Sequence, residues 1–202
     1  MTTGRDWFFL AARGFLDVAR QVDPDSLDGP GLGEWDVRAL LGHASRAFVT
    51  IESYLSEDGG EPDLRTAAEY FAAVRAGLAD PAQVAERGRQ AGGALGSEPT
   101  AEAVAIGEQV IDLVEHTPGS RHVATPVGSM TLDAYLPTRA FELTVHGIDL
   151  ARATGQPIPE TLAAAAVPAI ELAAQVATPE MRTQILMTLT GRTRLDDDFT
   201  VL

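Results

Sequence analysis

The chain contains no cysteine among its 202 residues. This absence excludes disulfide bonds, thiolate zinc sites and cysteine nucleophiles, because each of them needs a cysteine sulfur. Any thiol chemistry must therefore use a thiol that binds from outside. Lysine and asparagine are also missing, so all 15 basic residues are arginine. The codons of both missing residues are rich in adenine, and their absence indicates a GC-rich genome rather than a function.

Long apolar segments and an excess of positive charge are lacking as well. No apolar run approaches the roughly 18 residues of a membrane span. The N-terminal stretch carries acidic residues and has no small-residue cleavage site of a signal peptide. The 29 acidic residues outnumber the 15 basic ones, which gives a net charge of −14. Nucleic acids and anionic membranes need a positive surface, so neither is an expected partner. We expect a soluble, cytoplasmic protein.

What the sequence does contain is helical spacing of apolar residues along most of its length. A chain of 202 residues suits one domain, residues 1–202, and can bury about 70% of its unfolded surface. We predict an all-α bundle. Its helices have the approximate bounds 5–22, 36–55, 63–79, 100–116, 160–176 and 180–190, and a further helix starts between 131 and 137 and ends at 155.

The connections between these helices have their own composition. Residues 23–34 are rich in Pro, Gly and Asp and are typical of a loop. The glycine-rich residues 87–97 are predicted to form a mobile connection, and residues 121–131 a short hairpin or an extended loop. Asp36 and Thr100 are the predicted N-caps of the helices that follow them, and Pro168 predicts a kink.

An unusual polar pair lies in the predicted helix that ends at residue 155. Its sequence from residue 141, FELTVHGIDLARATG, is apolar nearly all round, which indicates a buried helix. Glu142 and His146 share one face of it, because they are four residues apart. A buried carboxylate is costly without a partner. Arg139, a charged His146, or a metal ion bound by both side chains would each supply one, and the spacing leaves these alternatives open.

His43 is the candidate for a third metal ligand. It lies in the segment WDVRALLGHA, at the edge of an apolar stripe that must face the other helices. A histidine from one helix and a Glu-His pair from another would leave one coordination position open, as in catalytic zinc sites. By itself the Glu-x-x-x-His spacing is a weak signal.

Two segments taken together carry a more specific signal. GEWDVRALLGHASRAF resembles the first signature of the mycothiol-dependent maleylpyruvate isomerase-like family, with its tryptophan, helix cap and histidine. RAFELTVHGIDLARATG resembles the second signature, with its glutamate, histidine, Asp-Leu pair and terminating glycine. The order of the two segments, the spacing within each and their separation of about a hundred residues all match.

The resemblance implies a DinB-like four-helix bundle with additional C-terminal helices. It also implies a divalent metal ion, with zinc the first choice, held by His43, Glu142 and His146. Mycothiol would be the thiol cosubstrate, and an electrophilic small molecule the substrate of thiol transfer or thiol-assisted isomerisation. The catalytic residues would be Glu142 and Arg139.

One departure from the family pattern concerns the end of the chain. The chain ends shortly after the predicted bundle, and we expect a short form of the family without the isomerase's C-terminal domain. That departure leaves the electrophile open. A non-catalytic metal-binding or regulatory bundle is the alternative function, and homodimer formation is left open.

Two residues near the polar pair each have two possible roles. Asp149 either holds the second ring nitrogen of His146, a common arrangement around metal ligands, or pairs with Arg152. Arg139 either orients a substrate carboxylate or neutralises Glu142.

Four further features are predicted to be structural. His116 lies at a helix C-terminus, where the helix dipole favours a cation, and His122 lies in a loop. Trp35 is predicted to fix the start of the second helix. Asp196–Asp198 is predicted to be a solvated tail.

Overall fold

The fold is taken from a computed structural model that describes residues 3–55, 61–76, 81–197 and 199–201, without the side chains of residues 81 and 82. Within these residues the chain is mostly helical, so the predicted all-α bundle is confirmed. The helices are α1 (Gly4–Ala19), α2 (Val37–Leu55), α3 (Ala67–Ala76), α4 (Pro81–Ala94), α5 (Pro99–His116), α6 (Leu132–Ala153), α7 (Glu160–Val176) and α8 (Pro179–Leu189). None of these helices is both long and apolar enough to cross a bilayer.

Two short strand pairs accompany the helices. β1 (Pro30–Leu32) pairs antiparallel with β2 (Trp35–Asp36), just before α2. β3 (His122–Thr125) pairs antiparallel with β4 (Gly128–Thr131), just before α6. Of the two possibilities predicted for residues 121–131, a short hairpin or an extended loop, the structure contains the hairpin. The predicted loop of residues 23–34 contains a single 3₁₀ turn and strand β1.

Four helices form the bundle that positions the site. α1 packs along α6 and against α5, while α2 packs against α5 and α6. Phe8, Phe15 and Phe48 are fully buried at its centre. The Phe48 ring lies 6.3 Å from that of Phe8 and 5.9 Å from that of Phe15, in the inclined geometries that aromatic pairs favour. The core of the bundle therefore consists of apolar side chains packed against one another.

Side-chain caps define where the two ligand-bearing helices begin. Asp36 Oδ1 accepts a hydrogen bond from the Ala39 N–H at 2.7 Å, which confirms its predicted capping role at α2. Thr131 Oγ1 accepts from the Ala134 N–H at 3.3 Å, so α6 begins at the early end of its predicted range. Pro137 lies inside α6 and does not end it.

The prediction of a mobile connection at residues 87–97 is wrong, because most of this segment belongs to helix α4. Its glycines allow close packing rather than flexibility. A Cβ added to Gly42 of α2 would lie 2.5 Å from the Gly92 Cα of α4. Only a residue without a side chain fits at such a contact, and the close packing of α4 on α2 offsets the low helix propensity of glycine.

Two other boundary predictions are wrong. Thr100 does not cap α5: the helix begins one residue earlier, at Pro99, because proline lacks the N–H group that the first turn leaves unpaired. The third helix begins at Ala67 rather than near Asp63. The N–H groups of Asp63 and Leu64 instead bind the Ser129 carbonyl of β4, each at 3.1 Å. Residues 77–79 of that predicted helix and Asp198 lie outside the described residues.

Candidate metal centre

The three predicted ligands come from two helices and meet inside the bundle. His43 is on α2, and Glu142 and His146 are on α6. One ligand atom from each side chain lies within 4.8 Å of the other two. The side chains of His146 and Glu142 are 15% and 25% exposed, so the centre is largely shielded but still partly exposed to solvent.

The spacing of these atoms can be compared with that of a tetrahedral metal site. Zinc bonds to nitrogen and oxygen of about 2.0–2.1 Å place neighbouring ligand atoms about 3.4 Å apart. His146 Nε2 and Glu142 Oε2 are 3.4 Å apart. An adjustment of His43 on the order of 1 Å would complete the set. The donor set of two imidazoles and one carboxylate therefore fits a divalent ion such as zinc.

His43 has a buried ring nitrogen that the protein does not satisfy. Its Nδ1 has no hydrogen-bond partner among the described residues, and a buried polar atom of this kind costs about 1–3 kcal/mol. Burial lowers the pKa of His43 to about 4, and the neighbouring positive charge of His146 adds to this effect. The ring is therefore neutral at pH 7, which is the form that binds a metal ion.

His146 is held between two carboxylates. Its Nδ1 lies 3.2 Å from Asp149 Oδ2, so of the two partners considered for Asp149 the structure contains the ring of His146. Burial opposes the charged ring, but the hydrogen bonds to Asp149 and Glu142 prevail and raise the pKa of His146 to about 9. This raised pKa favours the protonated ring at neutral pH when no metal is bound. Metal binding at Nε2, which lies 3.4 Å from Glu142 Oε2, would release that proton.

Glu142 is ionised although it is largely buried. Burial alone would raise its pKa. The hydrogen bond from His146 and the charges of Arg139 and His146 outweigh it and lower the pKa of Glu142 to about 2. The carboxylate is available as a ligand throughout the neutral range.

Arg139 lies one turn before Glu142 but forms no ion pair with it. Within the described parts of the chain, no carboxylate oxygen lies within 4.0 Å of its guanidinium, so the direct i,i+3 pair considered from the sequence is absent. The side chain is instead held by Thr138, whose Oγ1 accepts from Nε at 2.9 Å. The rings of Tyr135 and Tyr70 also hold it, with centroids 4.9 and 5.6 Å from the guanidinium carbon. Its charge acts on Glu142 through space.

Trp35 has a contact that the sequence did not reveal. Its indole stacks on the His43 ring with centroids 4.4 Å apart, in addition to its predicted position at the start of α2. The only sequence signal was its position eight residues before His43, which does not specify which face of the ring it covers.

The two remaining histidines lie outside the group of candidate ligands. His116 ends α5 and is exposed; its Nδ1–H donates to the Asp112 carbonyl at 2.8 Å. His122 lies in β3.

The fold and the candidate ligands define the chain as a helical bundle with a candidate three-residue metal centre. The family model of the mycothiol maleylpyruvate isomerase N-terminal domain matches residues 8–151, which include all three ligands. Because the match covers well over half of the chain, the protein belongs to this family, which is associated with mycothiol-dependent enzymes. The resemblance found in the sequence is thereby confirmed. No curated protein and no solved structure matches the chain.

Proposed function

We propose that this chain is a cytoplasmic, metal-dependent enzyme that transfers a small-molecule thiol to an electrophile or uses it to isomerise one. His43, Glu142 and His146 would hold the divalent ion, with zinc as the first choice. The observation that carries this proposal is the convergence of three donor atoms from two helices within 4.8 Å. Three protein ligands leave one position open.

The thiol is proposed to be a cosubstrate because the chain has no cysteine. Membership of a mycothiol-related family supports mycothiol in this role. A free thiol is largely protonated at neutral pH, with a pKa of about 8.5. A bound divalent ion lowers the pKa of a coordinated thiol and so supplies a nucleophile at neutral pH.

Glu142 is proposed to tune the reactivity of this centre. Its carboxylate is ionised at pH 7, because His146 and the surrounding positive charges lower its pKa to about 2. One carboxylate makes the centre less cationic than three neutral histidines would. A sulfur held beside it then keeps more negative charge and remains nucleophilic. Asp149 fixes the ring of His146 and leaves its Nε2 toward Glu142.

Arg139 is proposed to bind an anionic group of the electrophile. Its guanidinium is buried, with 8% of the residue exposed. Among the residues that the structure describes, its two terminal nitrogens reach only the hydroxyls of Thr50 and Tyr70, each at the long distance of 3.5 Å. A buried charge without a counter-ion is costly, and a substrate carboxylate would satisfy it. Arg139 shares a helix face with Glu142, so such a group would lie beside the centre.

The test is turnover of electrophiles with and without a carboxylate by zinc-loaded protein, in the presence and absence of mycothiol or another small thiol. We expect conversion only when metal and thiol are both present, and faster conversion of the anionic electrophiles. Glu142→Ala and His146→Ala should abolish the rate, and His116→Ala should retain it. One metal ion per chain without any thiol-dependent turnover would instead favour the non-catalytic metal-binding bundle.

A further inference from the structure

The indole of Trp35 lies between His43 and helix α4. One side stacks on the His43 ring, with centroids 4.4 Å apart and planes inclined by 34°. Its Nε1–H donates to the Ala85 carbonyl of α4 at 2.9 Å. Gly88, one turn further along α4, leaves room for the ring: an added Cβ would lie 2.5 Å from Trp35 Nε1 and 2.6 Å from Cζ2. The indole is therefore fixed by α4 on one side and contacts the candidate ligand on the other.

Helix α4 is held firmly enough to act as this support. It packs on α2 and on β2, the strand that carries Trp35. Gly42 and Gly92 bring the backbones of α2 and α4 together, and the added Cβ of Gly42 would lie 2.5 Å from the Gly92 Cα. The position of α4 relative to α2 is thus set at the residue next to His43.

The two histidines of the centre differ in what fixes their rings. His146 has a hydrogen bond from Nδ1 to Asp149. The Nδ1 of His43 has no such partner in the described chain. Two aromatic rings contact the His43 ring: Trp35 stacks on it, and His146 lies nearly perpendicular to it with centroids 4.9 Å apart. Partners that orient metal-bound histidines are normally hydrogen-bond acceptors, and losing them costs about 10–100-fold in metal affinity.

We propose that Trp35 is a positioning residue for His43, and that aromatic stacking backed by α4 does for this ring what a hydrogen bond does for His146. Trp35 does not bind the metal ion itself. The inference rests on the metal site of the proposed function, but it concerns ligand geometry and not turnover.

Metal affinity and the shape of the site are the measurements that test it. Zinc affinity is determined by competition with a chromogenic chelator, and coordination geometry from the visible absorption of the Co²⁺-loaded protein. Trp35→Ala should weaken zinc binding by about tenfold or more and alter the Co²⁺ spectrum. Trp35→Phe keeps an aromatic face against His43 and should restore most of the affinity.

Gly88→Ala provides an independent perturbation from the α4 side. Its new Cβ would meet Nε1 and Cζ2 of the indole, push the ring against His43 and weaken zinc binding. In a Trp35→Phe background the same substitution should have no effect, because phenylalanine lacks these atoms. Gly93→Ala is the matched control in the same helix, since its Cβ would meet nothing within 4 Å.

Two outcomes overturn the inference. The first is a Trp35→Ala protein that is less stable to heat but binds zinc with unchanged affinity and spectrum, since the role of Trp35 is then only structural. The second is a Gly88→Ala effect on zinc binding that persists in the Trp35→Phe background.

Failure of the proposed function gives a different result. A protein without turnover but with Trp35-dependent zinc affinity leaves the positioning role intact. If the wild-type chain bound no metal, the ring-current shift of the His43 protons would still show whether the Trp35 indole stacks on the His43 ring. A shift that Trp35→Ala leaves unchanged overturns the stacking role, and its loss supports it.

Discussion

Replacing Arg139 by methionine tests whether this residue binds substrate or instead stabilises the fold. Methionine has a similar length and is apolar, so it fills much of the same space. The hydroxyl partners of Arg139 retain other bonds. Thr138 Oγ1 still donates to the Tyr135 carbonyl at 2.7 Å, and Thr50 Oγ1 still accepts from the Tyr135 hydroxyl at 3.1 Å. Among the described residues, only the Tyr70 hydroxyl would be left without a hydrogen-bond partner, and its contact with Arg139 is already long at 3.5 Å.

The expected change in the free energy of unfolding follows from these contacts. The hydrogen bond from Nε is worth about 1.5–3 kcal/mol because the donor is charged. Two desolvated cation–π contacts add about 1–2 kcal/mol each. The cost of burying the charge is also several kcal/mol, and replacing buried charges by apolar side chains is often neutral. We therefore expect Arg139→Met to change the stability of the metal-free protein by no more than about 1 kcal/mol.

Arg5→Met is the matched comparison. The guanidinium of Arg5 donates to the carbonyls of Val114 and Thr117 at 2.6 and 3.0 Å and lies 3.1 Å from an oxygen of Asp133. Methionine would leave the two carbonyls without this donor, so we expect a loss of about 1.5–3 kcal/mol. The two substitutions remove the same group, but only the second should lower stability.

The assay is urea denaturation of the metal-free variants followed by circular dichroism, with zinc content and thiol-dependent turnover measured in parallel. Arg139→Met should retain its metal and lose conversion of anionic electrophiles. A loss of about 3–5 kcal/mol, the cost of removing one partner of a buried charge pair, would refute the reasoning. Arg139 would then be a counter-charge for Glu142 and not a substrate-binding residue.

Four further predictions concern the metal centre and its support. Elemental analysis should find about one divalent ion per chain. Alanine at any one of the three ligands should remove most of this metal, whereas His116→Ala and His122→Ala should leave it bound. Chelation should leave the helical circular dichroism largely intact, because the apolar core does not depend on a metal; wholesale loss of helix would contradict this. Asp149→Ala should weaken zinc binding by about 10–100-fold in a chelator competition, and unchanged affinity would show that Asp149 does not orient His146. Gly42→Ala should lower the free energy of unfolding, measured by urea denaturation, by about 1–3 kcal/mol, because its Cβ meets backbone atoms of α4 that cannot rotate away. An effect as small as that of Gly93→Ala would argue against close packing of α2 and α4.

The helices could be predicted from the sequence because each carries its own apolar stripe, and α7 was predicted at the bounds observed, 160–176. Helix α4 could not be, because the glycines of residues 87–97 lower helix propensity wherever they occur. What makes them helical is contact with partners distant in sequence, Gly42 and Trp35. Local composition contains no information on such contacts.

The candidate ligands could be predicted for a similar reason. Glu142, His146 and Asp149 lie on one helix, so their spacing alone places them on one face. His43 was a candidate from its place at the edge of an apolar stripe, but only the resemblance paired it with Glu142 and His146, because no local rule relates positions a hundred residues apart. The surroundings of Arg139 were not predictable at all, since Thr50 and Tyr70 come from α2 and α3. From the sequence, Glu142, the nearest carboxylate along the chain, was one candidate partner of Arg139, whereas the fold places two tyrosine rings beside the guanidinium.

The distribution of the ligands over two helices bears on which metal ion the centre selects. The positions of Glu142 and His146 relative to one another are fixed by the repeat of α6. Only His43 arrives from a second helix, so the centre has a single adjustable dimension, the separation of α2 and α6. Zinc bonds of about 2.0–2.1 Å and calcium bonds of about 2.3–2.6 Å differ by only a few tenths of an ångström. A core substitution that moves the two helices apart by that amount would retune the preferred ionic radius without altering any ligand.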